Sequence, residues 1–536
     1  MRTLLLCFSL FFLFNLLSAQ APGVSLSEPY KFDKTLSLST NILAVDDKYV
    51  VTLFDYSNAE TLVGTMLRKR SKMERGPKRM LLMTHDADLS GRQEQVIELD
   101  GERTGNSLSS LEENLLWIYR TQRDKDAPVV VKAEILSPAG KRIGEPVKLL
   151  SYKPDEAGSV YRLSARSLDR SKFVHVFTEE STNRLLSKND DSKASITFAV
   201  FDNDGRLLSS NEKRLSVARD RLDMLSVGVN NDGDAYVVAR IYSSGKKKES
   251  KKGSDATLQV YSLAAGSEEV VTTRHRTSGM YIANASLVPD SDGSVRLFGM
   301  YSEERDKELT GYYYLSDPST SATIKPRAFT KTELEAMGPR VTRTKKGKLI
   351  IEGNFEYRDA VRRPDGSLVI LLEDYRYTPG SYNANTGRTS PPRYSFFEGL
   401  QLDLSAGGEL QNHVVFPKAQ TSTGGISPYM RMTLVGYDGR PAVVYNDNAL
   451  NIGRDLEKRT KPLRAQNAVG MIAYANDKNE LVRQPLFARS ETDKMLINPQ
   501  SSTQLANGDV VFFTYRFKFF GKESYRLGRL AAGHRK

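Results

Sequence analysis

Residues 362–379 read RRPDGSLVILLEDYRYTP. A Pro-Asp-Gly turn at 364–366 launches five apolar residues, Leu368 to Leu372, and the run stops at Glu373-Asp374, followed by Tyr375-Arg376-Tyr377. A short apolar run bounded by turn residues reads as a buried strand. The same phrase, a polar turn and then a β-rich run, recurs as AVDDKYVVTLFD, LEENLLWIYR, LDRSKFVHVFTE, NNDGDAYVVARIY, DSDGSVRLFGMY, GYDGRPAVVYND and LANGDVVFFTYRF. Its turn residue falls near Asp47, Asn114, Ser171, Gly233, Gly293, Gly366, Gly439 and Gly508. That spacing is roughly 60 to 70 residues, longer than the about 40 to 50 of a compact propeller blade.

Each period has room for more strands. One unit runs LDMLSVGVN, DAYVVARIY, ATLQVYSLA and EEVVTTRHRT. The unit before it runs SVYRLSARS, KFVHVFTEE, ASITFAVFD and LLSSNEKRL, the last two joined by DNDG, a hairpin turn in which Gly205 can take positive φ. Four strands per period predict an all-β chain, a single large β-propeller of four-stranded antiparallel blades. Eight phrases give eight blades; seven is the alternative if a terminal unit is partial. Blades stack face to face, so a middle strand is covered on both sides and reads as continuous apolar residues. The last unit has strands near 495–503, 508–516 and 524–531, and GVSLSEPYKF near the start of the chain can supply its missing outer strand and close the ring. TKTELEAMGPR predicts one short helix, with Thr332 and Glu335 as a capping box and Gly338-Pro339 as a stop.

Of the 536 residues, 39% are hydrophobic and 26% charged, ordinary for a globular protein. The opening MRTLLLCFSLFFLFNLLSAQ reads as a secretory signal peptide over 1–19, leaving 22–536 as one propeller domain with a long insertion at about 378–393. The expected location is periplasmic, outer-membrane-associated or extracellular, with no transmembrane span in the mature chain. Cys7 is the sole cysteine and lies in the leader, which removes thiolate catalysis, cysteine-ligated zinc and iron–sulfur chemistry from the mature chain. A net charge of +12 in an exported protein points toward acidic glycans, anionic head groups or acidic proteins before nucleic acid. The basic runs RKRSKMERGPKR and GKKKESKKG lack interleaved aromatics, so nucleic acid is not an expected partner.

The sequence has no Walker loop, dinucleotide fingerprint, H-E-x-x-H or G-x-S-x-G. Its five histidines are scattered, Trp117 is its only tryptophan, and neither a metal nor a cofactor is expected. Three constellations remain. Glu352, Glu356, Asp359, Glu373 and Asp374 are acidic enough for glycoside hydrolysis. Neighbours on a strand face opposite ways, however, and solvation of the strand end is the simpler reading. Tyr375, Tyr377, Tyr382 and Tyr394 lie in or beside a long polar insertion and offer stacking faces for a sugar or a peptide. Asn446-Asp447-Asn448, with Asn451 beyond, ends another strand; such side chains hold turns or grip hydroxyls. The ligand-binding candidates are thus Glu373, Tyr375, Tyr377, Tyr382, Tyr394, Asn446, Asp447 and Asn448, with no catalytic residue assigned.

Residues 350–455 resemble a group of exported propeller-like proteins of Bacteroidota that carries no assigned activity. The resemblance rests on RRPDGSLVILLEDYRY, the tyrosine-rich insertion, FPKAQ with Lys418 and Gln420, SPYMRM and VVYNDNALN. The chain departs from the group at Gly408-Glu409-Leu410, where tryptophan is common. The resulting expectation is a monomeric, non-enzymatic binding or scaffold protein of the cell envelope that engages a glycan or a protein. The alternative is a carbohydrate-active hydrolase or lyase with carboxylates drawn from separate blades.

Overall fold

The computed structural model describes residues 23–31, 36–38, 42–45, 48–56, 79–98, 103–122, 127–153, 159–180, 193–243, 256–277, 279–303, 309–337, 341–343, 349–383, 388–454, 458, 460–464, 467–487, 495–516 and 524–532, except positions 291, 352, 364, 426, 428 and 506. The leader, Glu352, Gly338-Pro339 and His534 lie outside them.

The apolar runs of the repeat become the second strands of their blades, and these are buried on both faces. Leu368 to Leu372 are fully enclosed, as are Val443, Val237, Val238 and Val511 in the corresponding strands. Among the described residues the strands form nine antiparallel sheets, eight of them the blades of a propeller and the ninth a two-stranded hairpin. Blade 1 holds 36–98, blade 2 103–152, blade 3 159–218, blade 4 222–275, blade 5 281–351, blade 6 355–423 and blade 7 432–485. Blade 8 takes three strands from 495–530 and its outer strand from Val24–Leu26, which pairs antiparallel with Gly528 to Leu530. The ring therefore closes as the sequence predicts, with first and last strands in one sheet.

The core is distributed between blades. Eight apolar clusters occupy the eight joints; one packs Val443 and Met471 of blade 7 on Val369 and Leu371 of blade 6, and another packs Leu527 and Phe513 of blade 8 on Leu81 and Met83 of blade 1. Inner strands of neighbouring blades touch from blade 3 round to blade 8 and on to blades 1 and 2.

One face carries the turns between first and second strands. Their aspartates are engaged by the turn itself: Asp169, Asp292 and Asp365 each accept the backbone N–H two residues on, at 2.9 Å. Gly205 takes φ +83, as its hairpin requires, and a Cβ there would lie 2.8 Å from Leu111 and Ile135 of blade 2.

The short helix spans Lys331–Ala336, two residues earlier than the predicted cap allows. Thr330, not Thr332, is the N-cap; its hydroxyl accepts the Glu333 N–H at 3.2 Å and Glu333 accepts the Thr330 N–H at 2.6 Å. The T-x-x-E spacing occurs twice in succession, and the earlier start turns Leu334 and Met337 onto the blade 5–6 cluster.

His175 sits in the blade 3 core among Phe173, Phe177 and Phe201. It is 1% exposed, and neither ring nitrogen meets a hydrogen-bonding partner among the described residues. Burial, helped by the nearby Arg162 charge, holds its pKa well below the usual histidine value. His175→Phe should therefore stabilise the fold by about 1–2 kcal/mol in urea titration, since it removes a buried polar group without changing ring packing. The gain should grow as pH falls below 6.5, where the unfolded histidine binds a proton that the folded one refuses.

Candidate functional site

The acidic end of the opening strand is not wet. Glu373 and Asp374 are both 0% exposed, which corrects the solvated-end reading. The cause is the chain after the outer strand of blade 6. The outer strand Leu410–Phe416 breaks, and Gln420–Thr423 resumes it in the same direction, pairing with Arg393 to Phe396 of the same neighbour. The link between them lowers Lys418, also 0% exposed, onto the strand end.

Glu373 accepts hydrogen bonds from the Lys418 ammonium through Oε1 and from Arg358 Nε through Oε2, the latter at 2.6 Å. Arg358 also lies 3.0 Å from Glu356. Burial pulls the Lys418 ammonium below the ordinary lysine range, and the Glu373 carboxylate opposes that only in part. Lys418 and Arg431 sit 5.7 and 5.5 Å from the Phe396 ring centroid, and Tyr375 packs against the same ring at 5.1 Å. Asp374 faces the other way, accepting from Asn354 N–H and Arg376, each at 3.0 Å. The two adjacent carboxylates thus do not form a facing pair, as strand geometry requires.

The Asn-Asp-Asn segment is equally enclosed. Asn446 donates to the carbonyls of Tyr429 and Ile497 at 2.8 and 2.7 Å and accepts the Ile497 N–H at 2.9 Å, tying blade 7 to blade 8. Gln420 donates to the Asn446 carbonyl at 2.7 Å, so the Lys418-x-Gln420 phrase touches both motifs. Asp447 Oδ1 accepts from Asn448 N–H and Asn451 Nδ2, both at 2.8 Å. Asn448 caps the turn Ala449–Asn451 by accepting the Leu450 N–H, and Asn451 holds the backbone of Lys461.

Asp447 is 1% exposed, and burial pushes its carboxyl up to about 6. Its folded pKa is raised above the unfolded 3.8, so its ionisation costs stability at neutral pH and the cost disappears as pH falls toward 3.8. Asp447→Asn keeps the Oδ1 acceptor. It should raise stability at pH 8 by about 2–3 kcal/mol, with the advantage fading as pH falls through 6; urea midpoints at the two pH values check this.

The insertion is a β-arm. The second strand of blade 6 continues to Thr378 and the third begins at Arg393, and the two pair through Tyr377 and Tyr394, whose rings lie 5.2 Å apart. A small hairpin of Tyr382–Asn383 with Arg388–Thr389 forms its tip. Tyr377 and Tyr382 are 53% and 67% exposed, whereas Tyr375 and Tyr394 are half-buried at the base. The eight candidate residues therefore divide into an exposed aromatic pair, a half-buried pair, and the enclosed Glu373, Asn446, Asp447 and Asn448.

Beside the arm, a groove of about 1450 Å³ separates blades 6 and 7. Arg393, Phe397, His413, Lys458, Lys461 and Glu480 are among the residues lining it. Arg393, Lys458 and Lys461 were not sequence candidates. They come from a strand start and from the blade 7 loop after Asn451, and only the ring arrangement brings them together. Among the described residues, no three His, Asp or Glu side chains converge as metal ligands, and no helix is long and apolar enough to cross a membrane.

No protein-family model matches the chain, and no curated protein matches it in sequence. Solved structures are similar at low levels. The β-propeller domain of the Trilobed protease from Pyrococcus furiosus is 12% identical, with a TM-score of 0.35 over 85% of this chain and 97% of that chain. The NanB sialidase from Streptococcus pneumoniae is 9% identical, with a TM-score of 0.36 over 96% and 95%. A protein of unknown function from Bacteroides caccae is 10% identical, with a TM-score of 0.26 over 62% and 89%.

Proposed function

We propose that this chain is an exported, non-enzymatic binding or scaffold protein of the cell envelope, and that its blade 6 arm contacts a glycan or a protein. The observation that carries the reading is the contrast within one blade. Two tyrosines stand exposed on an ordered β-arm, while the carboxylates at its base are enclosed and engaged by the protein's own groups. Large exposed aromatics on a rigid strand pair offer contact area at little entropic cost. A general acid must reach the atom it protonates, and Glu373 reaches Lys418 and Arg358 instead. Export rests on the leader, and membership of the Bacteroidota group on the 350–455 motifs.

Replacing residues 379–392 by a short Gly-Ser turn removes the arm tip without touching the blade. Binding to envelope fractions, measured by pull-down, should fall to background. Unchanged binding would remove the arm from the account, and turnover of an envelope polysaccharide that Glu373→Gln abolishes would favour the hydrolase alternative.

A further inference from the structure

The groove beside the arm is unlike the rest of the charged network. Around Glu373 three cations face carboxylates: Lys418 and Arg358 on Glu373, Arg358 also beside Glu356, and Arg376 on Asp374. In the groove, the exposed side chains of Arg393, Lys458 and Lys461 form no ion pair among the described residues, although Glu398 and Glu480 line the same wall; Glu480 accepts from the Asn476 amide at 2.9 Å. The Lys461 backbone is held by Asn451 at 2.8 and 2.9 Å, which fixes its position in the wall. The three cations come from two blades and face one space of about 1450 Å³. Thr421, Thr460, His413 and Asn479 add hydroxyl, imidazole and amide groups to the same wall.

We infer that this groove binds an anionic polysaccharide, with its carboxylate or sulfate groups on Arg393, Lys458 and Lys461. The inference rests on the arm-binding reading and specifies its ligand. A wide, open wall that mixes cations, hydroxyls and amides with Phe397, Val414 and Val415 suits the polar edges and apolar faces of a sugar polymer, whereas small apolar ligands need an enclosed apolar pocket. Separated fixed cations suit charges repeated along a chain, and their attraction is screened by salt. An acidic peptide would use the cations but gains less from hydroxyl-binding walls, so the glycan is favoured.

The probes are dextran, dextran sulfate, polygalacturonate and poly-glutamate, in affinity electrophoresis and titration calorimetry with the mature chain. Dextran sulfate or polygalacturonate should bind, and unsulfated dextran should not; which of the two binds tells sulfate from carboxylate. Arg393→Ala/Lys458→Ala/Lys461→Ala should weaken binding at least about tenfold. A control, Lys141→Ala/Lys148→Ala/Lys325→Ala, removes equal charge from exposed positions elsewhere and should bind like the native chain. Equal losses in both triple variants would mean non-specific attraction to a basic protein and would overturn the inference. So would tighter binding of poly-glutamate than of either polysaccharide. Arm-dependent capture of a neutral glycan would overturn the anionic assignment and leave the arm reading standing. Loss of all binding, by every probe and by envelope fractions, would end both.

Discussion

Lys418→Ala is expected to lower folding stability by about 3–5 kcal/mol, among the largest effects of any single change in this chain. The lysine is 0% exposed and meets Glu373, itself 0% exposed, so the substitution leaves a buried carboxylate with Arg358 as its remaining cationic partner. The cost is that of the abandoned charge more than of the bond. Urea unfolding should show a lower midpoint with the slope unchanged. Adding Glu373→Gln in the same chain should recover part of the loss, because a neutral amide still accepts from Arg358 and no charge is stranded. The double mutant should fall short of the summed single effects by about 1 kcal/mol or more. A loss within 0.5 kcal/mol for Lys418→Ala alone would mean that the buried pair is not formed.

Asn446→Ala should cost about 3–5 kcal/mol for a different reason. It deletes no charge, yet three groups lose their partner: the carbonyls of Tyr429 and Ile497 and the N–H of Ile497. Each buried orphan costs about 1–3 kcal/mol, partly relieved by relaxation. Asn446→Asp separates hydrogen bonding from size. It keeps the acceptor for Ile497 but turns a carboxylate toward two carbonyls, so it should be worse than alanine at pH 8. Because the asparagine joins blade 7 to blade 8, hydrogen exchange should speed up at Met495–Gln504 before it does in blades 2 to 4.

The architecture was legible because it is periodic. A polar turn followed by an apolar run, repeated eight times, forces middle strands covered on both faces, and Val24–Leu26 could be assigned to the last blade because that blade lacked a strand. The site was less legible because its partners are distant in sequence and close only across blades. Glu373 and Lys418 are 45 residues apart, and Asn446 and Ile497 are 51 apart. Strand alternation correctly separated Glu373 from Asp374, yet a rule about strand ends called them solvated, because nothing local shows that Gln420–Thr423 resumes the outer strand and that the break before it sets Lys418 on Glu373. The Lys418-x-Gln420 phrase was the available signal, since a lysine and a glutamine in a run otherwise leading out of a strand invite a buried partner. The division of the tyrosines into exposed and half-buried pairs depends on how far two strands extend beyond the blade, which no local pattern shows.

Hydrogen–deuterium exchange on the mature chain, with and without a saturating solubilised envelope extract, tests the central claim most directly, because it reports where a ligand sits without assuming what it is. The account predicts protection at 375–396 and 458–463, with no change in the turns around Asp169, Asp292 and Asp365 on the opposite face. Protection confined to those turns, with the arm and groove exchanging as before, would contradict it.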